Sequence, residues 1–167
     1  MTVAANGLTG AVTIVPCAVS NQSGRLRMKT SRNNAGDHQL LNGNELSGDE
    51  TFEVDVVTLD QVIADANCAG SDIGLIFMDI QGHEPEALEG APKLLETAAP
   101  IVMEFTPRAM AKDGKLERLL RVLADRYDTF ATLGIEGVSA PAALGDLRTL
   151  RIGDQEHLDL FVFCRPQ

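Results

Sequence analysis

Asp79, Gln81, His83 and Glu84 lie within one short stretch of the chain, and Glu104 closes an apolar run further on. Carboxylates and an imidazole are the groups that take and return protons, and a well-placed base contributes about 10²–10⁴-fold to a reaction. Asp79, His83, Glu84 and Glu104 are therefore the candidate catalytic residues. His83 is favoured as the base, because imidazole exchanges protons near neutral pH. Each has a competing structural role. Asp79 can accept backbone N–H bonds from the Gln81-Gly82 turn, Glu84 can cap the helix that Pro85 opens, His83 can be an exposed loop residue, and Glu104 can pair with Arg108. The same atoms could hold a divalent cation, but their spacing carries no dedicated metal signature, and no metal site is expected.

The elements that position these groups follow from hydrophobic patterning. Val12–Val19 reads as a buried strand and 24–30 as a half-exposed one. Residues 31–50 form a long polar loop, either a substrate lid or disordered. Phe52–Val57 alternates as a strand. Thr58 and Gln61 make a capping-box pattern ahead of Leu59, Val62, Ile63 and Ala66 at helical spacing. The run Leu75-Ile76-Phe77-Met78 suits a strand covered on both faces. Pro85 suits a first helical position, Gly90 and Pro92 stop and restart the helix, and Pro100–Phe105 is a further buried strand. Lys115–Arg126 is an amphipathic helix, and Tyr127–Leu133 and Leu158–Cys164 are strands. This alternation predicts an α/β fold with a mostly parallel sheet and helices on both faces. The last two strands are joined through a Gly- and Pro-rich stretch and are free to run antiparallel. In open sheets of this kind ligands bind beyond the carboxyl ends of the strands, which is where Asp79–Glu84 and Glu104 fall.

Composition narrows the partners. The 167 residues, 44% hydrophobic with no Trp, suit one domain with an aliphatic core. A net charge of −10 disfavours nucleic acid and anionic membranes as partners. The one basic run, Arg25, Arg27, Lys29 and Arg32, reads as a solvated strand face. Three dispersed cysteines, Cys17, Cys68 and Cys164, suggest neither a disulfide framework nor a zinc site and fit a reducing cytoplasm. No secretion signal is visible at the start, and the apolar runs are strand-sized.

Residues 75–84 (LIFMDIQGHE), then Leu88-Glu89-Gly90-Ala91 and Pro100-Ile101-Val102-Met103-Glu104, resemble the signature of the FkbM-type methyltransferases. Thr58-Leu59-Asp60, Asn6-Gly7-Leu8, Val12–Val19 and Gly24 extend the resemblance over nearly the whole chain. It implies a Rossmann-like class I methyltransferase fold with an antiparallel C-terminal strand. It also implies S-adenosylmethionine as cofactor and O-methylation of a hydroxyl on a sugar, polyketide or related small molecule. Cys17 and Ala18 match the family's adenine-pocket position, so Cys17, Ala18, Asp79 and Gln81 are the expected cofactor-binding residues.

The family's first two strands, its glycine-rich loop and the acidic residue closing its second strand are expected ahead of Asn6, and the chain reads as lacking them. Weak cofactor binding is one expected consequence. Another is an apolar edge at Leu75–Ile80, to be met by self-association or by direct pairing with Val12–Val19. The alternative to an active O-methyltransferase is therefore a catalytically inactive, truncated or accessory chain that binds a partner. A hydrolase or nucleotidase is disfavoured, since neither a Gly-x-Ser-x-Gly elbow nor a phosphate-binding Lys loop is present.

Overall fold

The computed structural model describes residues 2–30, 38–41, 50–111, 114–150 and 157–164, with the side chains of 108 and 109 excepted. After a short helix α1 (Thr2–Ala5), strands β1 (Ala18–Val19), β2 (Gly24–Lys29), β3 (Gln39–Leu40) and β4 (Thr51–Val57) form one mixed sheet in the order β1-β4-β2-β3. β1 runs parallel to β4 with Ala18 opposite Val56, while β2 is antiparallel to both β3 and β4.

The expected strand Val12–Val19 shortens to two residues. Pro16 has no N–H for a ladder, and the Cys17 N–H turns back to the Val15 carbonyl at 2.9 Å. Val12, Ile14 and Val15 are exposed rather than buried. The alternative of pairing beside Leu75–Ile80 is also overturned, because β1 takes β4 as its neighbour.

Within the expected loop, Gln39–Leu40 pairs with Met28–Lys29, and Thr30 closes the loop's base through its N–H and hydroxyl to the Glu50 carbonyl, both at 3.0 Å. Positions 31–37 and 42–49 of that loop lie outside the described residues, as does Arg32. The basic strand face is a solvated one at Arg25, which meets Glu53 at 3.0 Å and Asp55 at 3.4 Å with all three side chains largely exposed.

Helix α2 (Leu59–Asp65) starts where Thr58 predicts, its hydroxyl accepting from the Gln61 N–H at 3.1 Å. Only half of the capping box forms, because the Gln61 side chain reaches forward to Asp65 at 2.6 Å. A 3₁₀ turn at Gly70–Asp72 leads into β5 (Ile76–Met78), which is followed by α3 (Glu84–Glu89), α4 (Pro92–Leu95), β6 (Ile101–Phe105) and α5 (Pro107–Met110). The interruption between α3 and α4 falls at Gly90, as its sequence predicts. A side chain there would collide with the Ser20 carbonyl oxygen. Asp60 contributes a contact that spacing alone does not reveal. Its carboxylate accepts from the Lys93 and Leu94 N–H groups, each at 3.0 Å, capping α4 from the first turn of α2.

Helix α6 (Lys115–Leu123) precedes β7 (Thr129–Gly134), β8 (Gly137–Val138), β9 (Ala142–Ala143), a 3₁₀ stretch at Leu144–Thr149 and β10 (Leu158–Phe163). These complete a second sheet in the order β5-β6-β10-β7-β8, with β9 also on β7. β5 and β6 are parallel; β10 is antiparallel to both β6 and β7. The antiparallel final strand is as expected. The mostly parallel sheet is not: the architecture is mixed α/β, because the β7–β8 hairpin and the returns of β9 and β10 onto β7 permit antiparallel pairs without crossover helices.

The core lies on one face of this second sheet. Ile76, Met78, Ile101, Met103, Leu160 and Val162 pack there against Leu88, Leu94, Leu119 and Leu123 of the helices. The opposite face is not covered by helices among the described residues, which corrects the two-sided arrangement. β5 alternates buried, exposed, buried, and Phe77 is 69% exposed. On the same face Phe161 and Phe163 stack on each other, their rings 4.8 Å apart.

Candidate functional site

β5 and β6 are parallel neighbours in register from Ile76 opposite Ile101 to Met78 opposite Met103. Their carboxyl ends therefore deliver Asp79 and Glu104 to the same edge of the sheet. A tight turn follows β5, with Gln81 at φ +57° and Gly82 at φ +85°. The left-handed conformation at Gln81 is uncommon for a residue with a side chain and returns the chain sharply toward the sheet edge. The Gln81 amide there donates to Asp79 Oδ1 at 2.7 Å and to Glu104 Oε2 at 3.3 Å. Asp79, Gln81 and Glu104 are thus brought together.

Glu84 builds the floor of this turn. Its Oε1 accepts the backbone N–H groups of Ile80 and Gly82, each at 3.3 Å, so the turn's donors go to Glu84 and not to Asp79. Glu84 is 1% exposed, and its other oxygen, Oε2, is buried with no hydrogen-bond partner. Burial pushes its carboxyl above the ordinary range. The backbone donors oppose that shift, and the nearby Glu104 charge reinforces it. The N-cap position of α3 belongs to His83, not Glu84, and no side chain caps it. Lys115 braces the turn from α6, donating from Nζ to the Gly82 carbonyl at 2.6 Å.

His83 is not part of the strand-end cluster. It is 4% exposed, its Nε2 lies 2.9 Å from Ser20 Oγ, and its Nδ1 lies 3.9 Å from Glu86 Oε2. Burial lowers its pKa, with Glu86 pulling the other way. Beyond Glu86 the network continues to Arg118, which binds Glu86 at 2.7 Å and Glu89 at 2.9 and 2.6 Å. Arg118 holds the Glu89 carboxyl below its usual range. Asn21 also donates to Glu89, at 3.1 Å. The chain Ser20–His83–Glu86–Arg118–Glu89 thus joins the first sheet to α3 and α6. Sequence reasoning did not find Glu86 or Arg118, since charged helix positions ordinarily read as surface, and it placed Ser20 at a strand end without pairing it with His83.

Ala18 opens β1 beside β4 in the first sheet, and Cys17 directly precedes it. Burial and the Asp55 charge push the Cys17 thiol up. No hydrogen bond links them to Asp79 or Gln81. The proposed Glu104–Arg108 pair involves a side chain outside those described. Glu104 also has His157 nearby, whose Nε2 is 3.8 Å from Glu104 Oε1. Spacing could not have revealed His157, because its approach depends on the antiparallel register of β10 with β6. Among the described residues no cluster of three or more His, Cys, Asp or Glu is arranged to hold a metal ion. No helix among them is long and apolar enough to cross a membrane.

A parallel strand pair ending in two acids bridged by an amide, followed by a tight Gln-Gly turn and a helix, is a ligand-edge arrangement of an α/β fold. The FkbM methyltransferase domain matches residues 1–131, and the chain belongs to that family. No curated protein and no solved structure gives a match.

Proposed function

We propose that the chain is an S-adenosylmethionine-dependent O-methyltransferase acting on a hydroxyl of a small molecule of the sugar or polyketide class. The observation that carries this reading is the Gln81 amide bridging Asp79 and Glu104 at 2.7 and 3.3 Å across adjacent strand ends. The donor set fits the cofactor's cationic and hydroxyl-bearing parts: Asp79 is an exposed carboxylate, Glu104 a half-buried one, and both are acceptors. Asp79 and Gln81 would hold the cofactor, and Cys17 and Ala18 would contribute from the start of β1. When bound, the cofactor supplies an electrophilic methyl group on a positively charged sulfur.

The chain's own residues do the positioning, which is most of what an in-line displacement requires. Gln81 fixes the spacing of the two carboxylates. Glu84 holds the turn through two backbone donors, and Lys115 braces it from behind. The negative charge gathered at this edge favours a cation over an anion.

Calorimetric titration with S-adenosylmethionine and S-adenosylhomocysteine tests the reading. Micromolar binding that weakens at least tenfold in Asp79→Asn is the expected result. A folded chain silent to both ligands would overturn it in favour of an inactive accessory chain.

A further inference from the structure

The ligand edge carries a second imidazole that differs from His83 in exposure and in partner. The His157 side chain is 61% exposed, whereas that of His83 is 5% exposed and engaged with Ser20. His157 directly precedes β10. In the register of that strand Asp159 faces Glu104, so His157 stands two residues along, diagonal to Glu104 on the same face of the sheet. Its Nε2 is 3.8 Å from Glu104 Oε1.

Two further features tie this imidazole to the site. Like charges directly opposite on antiparallel strands repel. Asp159 and Glu104 are such a pair, and a neighbouring imidazole able to carry positive charge relieves them. Glu104 also receives the Gln81 amide at 3.3 Å, so the carboxylate nearest His157 is the one coupled to Asp79 and the Gln81 turn.

We propose that His157 is the base that accepts the acceptor hydroxyl's proton, with Glu104 as the residue that positions it. This rests on the O-methyltransferase reading above. Nε2 is the ring nitrogen nearer Glu104, and Nδ1 is the one assigned to the acceptor. The hydroxyl oxygen forms its new bond to the methyl carbon of the sulfonium donor as the carbon–sulfur bond breaks, the electron pair going to sulfur. The hydroxyl proton passes to Nδ1. The products are a methyl ether, a neutral thioether and an imidazolium, which Glu104 and Asp159 stabilise until it returns the proton to water. Asp79 and the buried Glu84 are the other acids at this edge; Glu84 is committed to the turn.

Two measurements on the full chain test the assignment. The first needs no turnover. In long-range ¹H–¹⁵N spectra of the histidine rings, Glu104→Gln should displace the His157 signals while leaving those of His38 in place; unmoved His157 signals overturn the pairing. The second follows S-adenosylhomocysteine formation with a methyl glycoside and a hydroxylated polyketide lactone as acceptors. His157→Gln should lower kcat by about 10²–10⁴-fold, abolish the acidic limb of the pH profile, and leave cofactor binding within about twofold. Full activity and an unchanged pH profile in that variant, beside an active wild-type chain, overturn the base while sparing the O-methyltransferase reading. A wild-type chain that transfers no methyl group overturns both.

Discussion

Ser20 Oγ lies 2.9 Å from His83 Nε2, and both residues are at least nine-tenths buried. This one bond connects the end of β1 in the first sheet to the start of α3 beneath the second. It is backed by the close approach of Gly90 to the Ser20 carbonyl and continues through Glu86 to Arg118. The hydrogen bonding is incomplete at one point, since Glu86 Oε2 is buried without a hydrogen-bond partner and stands 3.9 Å from His83 Nδ1.

Ser20→Ala removes one partner and leaves the imidazole nitrogen buried without its hydrogen bond. The expected cost is about 1–3 kcal/mol of unfolding free energy, the usual penalty for an orphaned buried polar group. Urea denaturation followed by circular dichroism measures it. A midpoint equal to that of the wild-type chain would show that the bond contributes nothing.

Glu84 supplies a pH dependence whose sign follows from its burial. Its folded pKa is raised above the ordinary value of 4.5. The folded state therefore holds the proton more tightly than the unfolded chain, and stability falls as pH rises from about the ordinary carboxyl value through the raised one. Below that window the contribution is intact. Glu84→Gln keeps an oxygen for the Ile80 and Gly82 donors and removes the titration. Its stability relative to wild type should rise with pH across the window and level off above it, as read from thermal unfolding at several pH values. A difference that is flat in pH would contradict this.

The outer strand β5 presents Phe77 at 69% exposure, Leu75 just before it is 52% exposed, and β6 is its one partner among the described residues. Apolar open edges promote association between chains. Phe77→Lys should reduce concentration-dependent light scattering while changing stability by no more than about 0.5 kcal/mol, since the ring is mostly in solvent. Equal scattering from the variant would place the association elsewhere.

Local signals were legible in the chain wherever a single segment decides its own conformation. Thr58 starts α2, Pro92 opens α4, Pro85 falls one residue inside α3, Gly90 separates the two helices, and the apolar stripe Leu119, Leu120 and Leu123 is buried. The convergence of Asp79 and Glu104 was legible too, because two parallel strands of an α/β sheet bring their carboxyl ends to one edge.

What patterning could not decide was which strand lies beside which, and what covers each face. Val12–Val15 is as apolar as a buried strand, yet Pro16 and the pairing of β1 with β4 leave it outside any ladder. Phe77 sits in an unbroken apolar run, yet the sheet is packed on one face there. The two imidazoles make the same point. His83 adjoins the acids in sequence but is drawn into a buried bond with Ser20. His157 is remote in sequence but is carried to Glu104 by the register of β10. Residue type and spacing determined the helix ends and the edge at which the acids gather, because those are local properties. Tertiary structure alone decided which imidazole stands there, because strand pairing and burial are set by contacts between segments far apart in the chain.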